Sequence, residues 1–282
     1  MSLYLLFDVG NTRLKWAAVE STQNTADRNK KLWAYSGSIS SKSFQSAELR
    51  AELSDYIAKT LPKPDAIAFA CVAGDEVIAH LQSLFPQWSD ISWHQLTGDS
   101  PYHGMRTLYQ DPSKLGADRW AALIGARALS NTNTLIINAG TATTIDLLGG
   151  NGVHYGGWIL PGLSLMQESL QSNTARLPLV NRHAHLAANT TSTNSVPQTS
   201  LGVSTDEAII GGCDAAQLGA ILRAAYLAKE MNHPVERIWL DGGNAAVLAN
   251  EIKQFPELAR LPVEPIEGLV LRGLWAWLLQ KI

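Results

Sequence analysis

The chain reads as an α/β protein of two related domains, each opening on a strand that runs into a glycine turn. Short apolar runs of strand length alternate with longer stretches of helical spacing, the pattern of sheets covered by helices. The length of 282 residues exceeds one typical domain and suits two moderate ones. The opening plan also recurs. Leu5-Leu6-Phe7-Asp8-Val9-Gly10-Asn11-Thr12 and Leu135-Ile136-Ile137-Asn138-Ala139-Gly140-Thr141-Ala142 share an apolar strand, an acidic or amide residue, a spacer, Gly and a small polar residue. That repetition marks a duplicated unit, with domains expected at 1–118 and 119–282.

Tyr4–Val9 is a buried strand, Leu14–Glu20 its return partner, and Trp33 to Ser36 a third strand. Ser43–Leu61 has helical spacing, with Ala51, Leu53, Tyr56 and Ile57 apolar; Ala66–Val72 is strand-like and Asp75–Phe85 fits a helix. Pro112 and Ser113 precede a helix over Lys114–Leu129 whose Leu115, Trp120, Leu123 and Ile124 form one buried face. The second round gives strands at Thr134–Asn138 and Thr143–Leu148, then a long helix over Thr205–Met231, a strand at Ile238–Leu240 and a closing helix at Leu269–Leu279. Asn181–Ser200, rich in Ser, Thr, Asn and His, reads as an exposed loop, either a lid or a surface excursion.

Composition narrows the function classes. A formal net charge of −3 and no long Lys or Arg run give no general pull toward nucleic acid or anionic lipid, so a small-molecule partner is expected. Cys71 and Cys213 are too few for a disulfide framework and form no CxxC pair. The Met1–Val9 start has no signal-peptide design, and no uninterrupted apolar run nears the roughly 20 residues that span a bilayer. A cytoplasmic protein is expected. The sequence has no Gly-x-x-x-x-Gly-Lys-Ser/Thr loop, Gly-x-Gly-x-x-Gly fingerprint, Gly-x-Ser-x-Gly elbow or zinc-spaced Cys/His set; His183-x-His185 reads as loop solvent. The nine Trp residues lack an accompanying basic groove and read as core or interface.

Four motifs carry chemistry. In Asp8-Val9-Gly10-Asn11-Thr12-Arg13-Leu14-Lys15 a strand delivers a carboxylate to a tight turn whose backbone N–H groups, Asn11 and Thr12 suit phosphate oxygens, with Lys15 as a neutralising cation and Asp8 holding Mg²⁺ through water. A plain hairpin turn has the same look. The second copy, from Asn138 through Thr141 to Asp146, supplies a facing loop with the Thr141 hydroxyl as donor; its threonines also suit an ordinary strand. Asp241-Gly242-Gly243-Asn244 ends a strand and lets backbone approach a base or ribose, or serves as a simple turn and helix cap. Gly116-Ala117-Asp118-Arg119, preceded by Tyr109, places a proton-accepting carboxylate beside a cation for an anionic alcohol substrate; a surface ion pair at a helix end is the plainer reading.

In this order the motifs, together with Gly157-Trp158-Ile159-Leu160-Pro161-Gly162 and Thr205 within Ser204-Thr205-Asp206-Glu207-Ala208, resemble the type III pantothenate kinase family of the acetate and sugar kinase and actin-like superfamily. The resemblance spans nearly the whole chain. It implies two ribonuclease-H-like (actin-like ATPase) domains with an ATP cleft between them, and transfer of the ATP γ-phosphate to the primary hydroxyl of pantothenate, the opening step of coenzyme A synthesis. By the same likeness Asp118 is the general base, Asp8 to Lys15 and Thr141 contact ATP, and Tyr109, Gly116, Ala117, Asp118, Arg119 and Thr205 contact pantothenate, with the site completed across a homodimer interface. Family members resemble one another in using Mg²⁺ and often a monovalent cation, potassium or ammonium. The cation-associated position, commonly Asp, is Asn138 here, an amide with one oxygen and no charge. A kinase for another small hydroxy acid or sugar, and an accessory factor or actin-like switch with little catalysis, are the alternatives; Asp8 and Asp118 together argue for catalysis.

Overall fold

In the first unit, β1 (Leu3–Val9) pairs antiparallel with β2 (Arg13–Glu20), which pairs antiparallel with β3 (Tyr35–Ser40); on the other side β1 runs parallel to β4 (Ala66–Cys71), and β4 to β5 (Ser92–Leu96). The order is β3-β2-β1-β4-β5. The structure, a computed structural model, describes residues 2–22, 32–33, 35–180 and 201–282; the loop expected at 181–200, with His183 and His185, lies outside them. This unit comprises residues 1–136, 146–156 and 266–282, the second 137–145 and 157–265.

Because strand side chains alternate, β1 is buried on both faces. Leu5, Phe7 and Val9 join a core with Phe44, Ile57, Phe69, Leu81 and Phe85. Tyr4 instead meets Trp275 of the closing helix, ring centroids 5.1 Å apart. The helix expected over Ser43–Leu61 is broken: α1 (Ser41–Phe44) ends before Ser46, whose side chain accepts from the Leu49 N–H and caps α2 (Ala47–Thr60). Tyr56, expected among the apolar positions, is exposed. α3 (Asp75–Gln82) stops short of Phe85 because Pro86 opens a separate 3₁₀ turn, Pro86–Trp88.

α4 (Ala117–Leu129) begins three residues later than expected, since Leu115 and Gly116 are extended and residues Pro112–Lys114 form their own 3₁₀ turn under an Asp111 cap. Its partner is α8 (Leu269–Leu278), every residue of which is buried. The two helices approach at glycine: a Cβ on Gly273 would fall on the Ala121 carbonyl oxygen and 2.9 Å from the Gly125 nitrogen, and one on Gly125 would fall on the Leu269 carbonyl oxygen.

The second sheet has the order β11-β10-β7-β8-β9-β6, from β6 (Arg106–Thr107), β7 (Thr134–Ala139), β8 (Ala142–Leu148), β9 (Val153–Pro161), β10 (Arg237–Asp241) and β11 (Val263–Pro265). β6 runs parallel to β9 and β10 to β11. Strands β7, β8 and β9 each give residues to both units. The second unit adds α5 (Leu163–Asn173), α6 (Thr205–Glu230) and α7 (Ala245–Ile252). Ser204 caps α6 by accepting from the Glu207 N–H, while the Glu207 carboxylate accepts from the Val203 N–H at 2.8 Å. Among the described residues α6 alone has the length and hydropathy of a membrane-crossing helix; it also carries Asp214 and Arg223 and buries Ile209, Cys213, Gln217 and Ile221, as a core helix does.

At an ordinary helix position Gly→Ala stabilises by about 1 kcal/mol. Gly273→Ala is expected to do the reverse, lowering stability by about 1–3 kcal/mol through overpacking against the α4 backbone. Urea unfolding checks this; a raised midpoint would show that α4 and α8 can separate freely.

Candidate functional site

The first loop is a turn of three residues, Gly10-Asn11-Thr12, closed by the Gly10 N–H donating to the Arg13 carbonyl at 3.0 Å. Val9 and Leu14 turn their side chains into the core, so only their backbone is left for a ligand. Asn11, Thr12 and Arg13 are exposed, Asp8 and Lys15 stand opposite one another in register, and Arg13 Nη2 donates to Ser38 Oγ at 2.5 Å. Ser41, unmarked in the sequence, fastens the turn: its Oγ donates to the Gly10 carbonyl at 2.7 Å and its N–H to the Thr12 carbonyl at 2.9 Å.

In the second unit the matching turn is shorter, the pair Gly140-Thr141, with the Gly140 N–H donating to the Ala142 carbonyl at 3.0 Å. Two other motifs close on it. The Gly162 N–H donates to the Thr141 carbonyl at 2.8 Å, and a side chain at Gly162 would strike the turn's carbonyls. Gly242, at φ +102°, lies against Ala139, where a Cβ would sit 2.5 Å from the carbonyl oxygen, and the Asn244 N–H donates to that same carbonyl at 3.0 Å. Thus Asn138, Thr141, Gly242, Gly243 and Asn244 come together around one glycine turn. Thr205, the first residue of α6, belongs to the same unit.

The Gly116-Ala117-Asp118-Arg119 motif forms the N-terminus of α4 in the first unit. Asp118 Oδ1 accepts from the Arg119 backbone N–H at 2.7 Å, a carboxylate set favourably in a first helical turn. A Cβ at Gly116 would stand 2.7 Å from that same oxygen. Ala117 is buried. Asp118 and Arg119 do not fork together side chain to side chain; the guanidinium goes elsewhere. Arg119 Nε donates to Asp146 Oδ2 at 3.0 Å, Nη2 to Asp146 Oδ1 at 2.5 Å and Nη1 to the Tyr109 hydroxyl at 2.7 Å. Both charged groups are buried, Arg119 at 4% exposure and Asp146 at 2%.

The family model described as type III pantothenate kinase matches residues 4–226. The chain belongs to the type III pantothenate kinase family. A type III pantothenate kinase of Aromatoleum aromaticum is 35% identical over 280 residues, covering 96% of each chain. One of Dechloromonas aromatica is 32% identical over 272 residues, covering 96% of this chain and all of its own. Among solved structures, a glucokinase from an Antarctic psychrotroph superposes with a TM-score of 0.56 at 12% identity, covering 99% of both chains, a likeness of fold alone. The fold is thus the two-sheet α/β fold of sugar kinases and actin-like ATPases.

Within this kinase framework the electrostatics of Asp118 are distinctive. Burial pushes its carboxyl above the ordinary carboxylate range; the Arg119 backbone N–H and charge pull down, and Asp146 adds to the rise. For Arg119 burial opposes the charge, but the hydrogen bonds and charge of Asp146 override it and hold the guanidinium protonated. Asp146 and His154 were not among the residues singled out from sequence. Asp146 lies within β8, the second loop's own strand, so its carboxylate was in view without a partner. His154 is a lone histidine on β9, and no local spacing announces it.

A carboxyl whose folded pKa is raised weakens the fold as pH climbs past its unfolded value of about 3.9. Asp118→Asn is therefore expected to unfold at the same temperature as the parent or higher at pH 7, and a fall of several degrees would contradict the raised pKa. Gly116→Ala displaces the Asp118 carboxylate. A loss of turnover of about ten-fold or more is expected, with ATP affinity kept; unchanged turnover would show that the carboxylate tolerates the shift.

Proposed function

We propose that the protein transfers the γ-phosphate of ATP to the primary hydroxyl of pantothenate, giving 4'-phosphopantothenate, the first step of coenzyme A biosynthesis. The observation that carries this reading is Asp118, a carboxylate at a helix N-terminus kept apart from the nearby guanidinium, which is committed to Asp146. An Asp118 carboxylate tied up by Arg119 would be a poor base. Left with a backbone N–H as its partner, it accepts the hydroxyl proton as the acceptor oxygen bonds to phosphorus and ADP departs. Arg119 uses three of the five N–H hydrogens of a guanidinium on Asp146 and Tyr109, which leaves donors for the pantothenate carboxylate.

The remaining roles follow the motifs. Gly10 through Lys15 take the phosphates with Thr141 as a further donor to ATP, Gly242-Gly243-Asn244 the base or ribose, and Tyr109, Gly116 and Thr205 the acceptor, with Thr205 supplied within a homodimer. Asp8 would hold Mg²⁺: it lies in β1 two residues before the Gly10 turn proposed to take the phosphates, and Mg²⁺ beside a nucleotide needs only one or two carboxylates, with phosphates and water completing its shell. When bound, the ion neutralises phosphate charge. Asn138 replaces a carboxylate with a neutral oxygen, so any potassium or ammonium site there is weak. A cytoplasmic location suits this role.

The test is ADP release from Mg²⁺–ATP by the purified protein with and without pantothenate, in potassium and in sodium salts. Pantothenate-dependent release is expected, similar in both salts and lost by at least about a hundred-fold in Asp118→Asn. Activity is expected to fall as pH drops through the raised Asp118 pKa, at a pH above the ordinary carboxylate range. ATP binding with no pantothenate dependence would overturn the assignment in favour of another acceptor or an accessory role.

A further inference from the structure

Arg119, Asp146, His154, Thr107 and Tyr109 form a closed ring of contacts within the first unit. Asp146 Oδ1 accepts from Arg119 Nη2 and also bonds His154 Nε2 at 3.0 Å. His154 Nδ1 lies 2.9 Å from Thr107 Oγ1, and that oxygen accepts from the Tyr109 backbone N–H at 3.1 Å. The Tyr109 hydroxyl returns to Arg119 Nη1, and the Tyr109 ring stacks on His154 with centroids 5.8 Å apart and planes at 20°. A carboxylate paired to a guanidinium is an acceptor only, so His154 Nε2 donates to it. Thr107 Oγ1 accepts from the Tyr109 N–H and its hydroxyl donates a hydrogen bond to Nδ1. Two donor paths then run from Arg119 and meet on Asp146, one direct and one through Tyr109, Thr107 and His154.

His154 is fully buried. It meets no solvent, yet it touches the support of Arg119 and Tyr109, two of the residues that the proposed function assigns to the acceptor. We infer that His154, with Asp146 and Thr107, is a positioning residue that sets selectivity for a carboxylate-bearing acceptor. Asp146 fixes the plane of the guanidinium by two parallel bonds, and His154 fixes Asp146. Thr107 and the ring stack fix Tyr109 against the same plane. Misplacing a planar fork costs recognition of a planar anion far more than recognition of a neutral group. This inference rests on the pantothenate reading.

The test compares the parent with His154→Leu, His154→Gln and Thr107→Val. For each, kcat and KM are measured with pantothenate, with the neutral analogue bearing an alcohol in place of the carboxylate (as substrate, or as competitive inhibitor where turnover is undetectable), and with ATP. His154→Leu is expected to raise the pantothenate KM about ten-fold while the values for the neutral analogue and ATP stay within about two-fold. His154→Gln, which keeps a donor near the Nε2 position, recovers most of the loss. A parallel decline for pantothenate and the neutral analogue, or failure of Gln to do better than Leu, would overturn the inference in favour of a purely structural histidine. If His154→Leu does not fold, Thr107→Val reads the same ratio; a shift of about three-fold against pantothenate supports the positioning role and an unchanged ratio sinks it. A parent protein inactive on pantothenate would refute the functional reading itself, and this inference with it, whereas an active parent with unshifted variants refutes only the inference.

Discussion

Two opposite charges, Arg119 and Asp146, lie almost wholly out of water and bonded through two parallel contacts. Taking ions from water costs several kcal/mol each after relaxation, so such a pair persists only with good geometry and its remaining lone pairs filled. Here His154 takes a further lone pair on Asp146 and Tyr109 an Arg119 donor. The pair joins the start of α4 to the end of β8. By holding the guanidinium it also decides what is left to Asp118, one residue away on the same helical turn.

Glycine sets the distances on which this arrangement relies. The crossing of α4 and α8 through Gly125 and Gly273 brings backbone against backbone, and so holds the helix that carries Asp118 and Arg119 from its far side. At the other end of α4 the missing Cβ of Gly116 is the space into which the Asp118 carboxylate folds. In the second unit two elements distant in sequence do the same for the Gly140-Thr141 turn, Gly162 against Gly140 and Thr141 and Gly242 against the preceding Ala139. Each glycine is a requirement of close approach, and in Gly242 also of a left-handed backbone.

Much of the architecture was legible. The glycine turns were visible because an apolar run ending in Asp-x-Gly or Asn-x-Gly leaves the chain few other shapes, and β1, β2, β4, β7 and β8 lie where the runs lie. The short strands were not. Ser92–Leu96 has no continuous apolar stretch and buries a single residue completely, while Arg106–Thr107 is a strand only because β9 pairs with it. α5 buries only Leu163 and Gln167, too little apolar periodicity to mark a helix. At the site, residue types that act locally could be named from spacing, as Asp118 and Gly116 were. Asp146 and His154 act across 27 and 8 residues of separation, and nothing in the neighbourhood of either foretells the partner.

The buried pair also bears on how such a kinase could drift toward new acceptors. Losing Arg119 alone strands the Asp146 charge, and losing Asp146 alone strands the guanidinium; either change costs about 3–5 kcal/mol, a large part of a domain's whole stability. Replacing both by apolar groups of similar volume can be nearly neutral. A lineage moving to an uncharged acceptor therefore faces a valley between two passable states, and crosses it through a paired substitution or with stability held in reserve elsewhere. Anion preference would then persist by history as much as by selection.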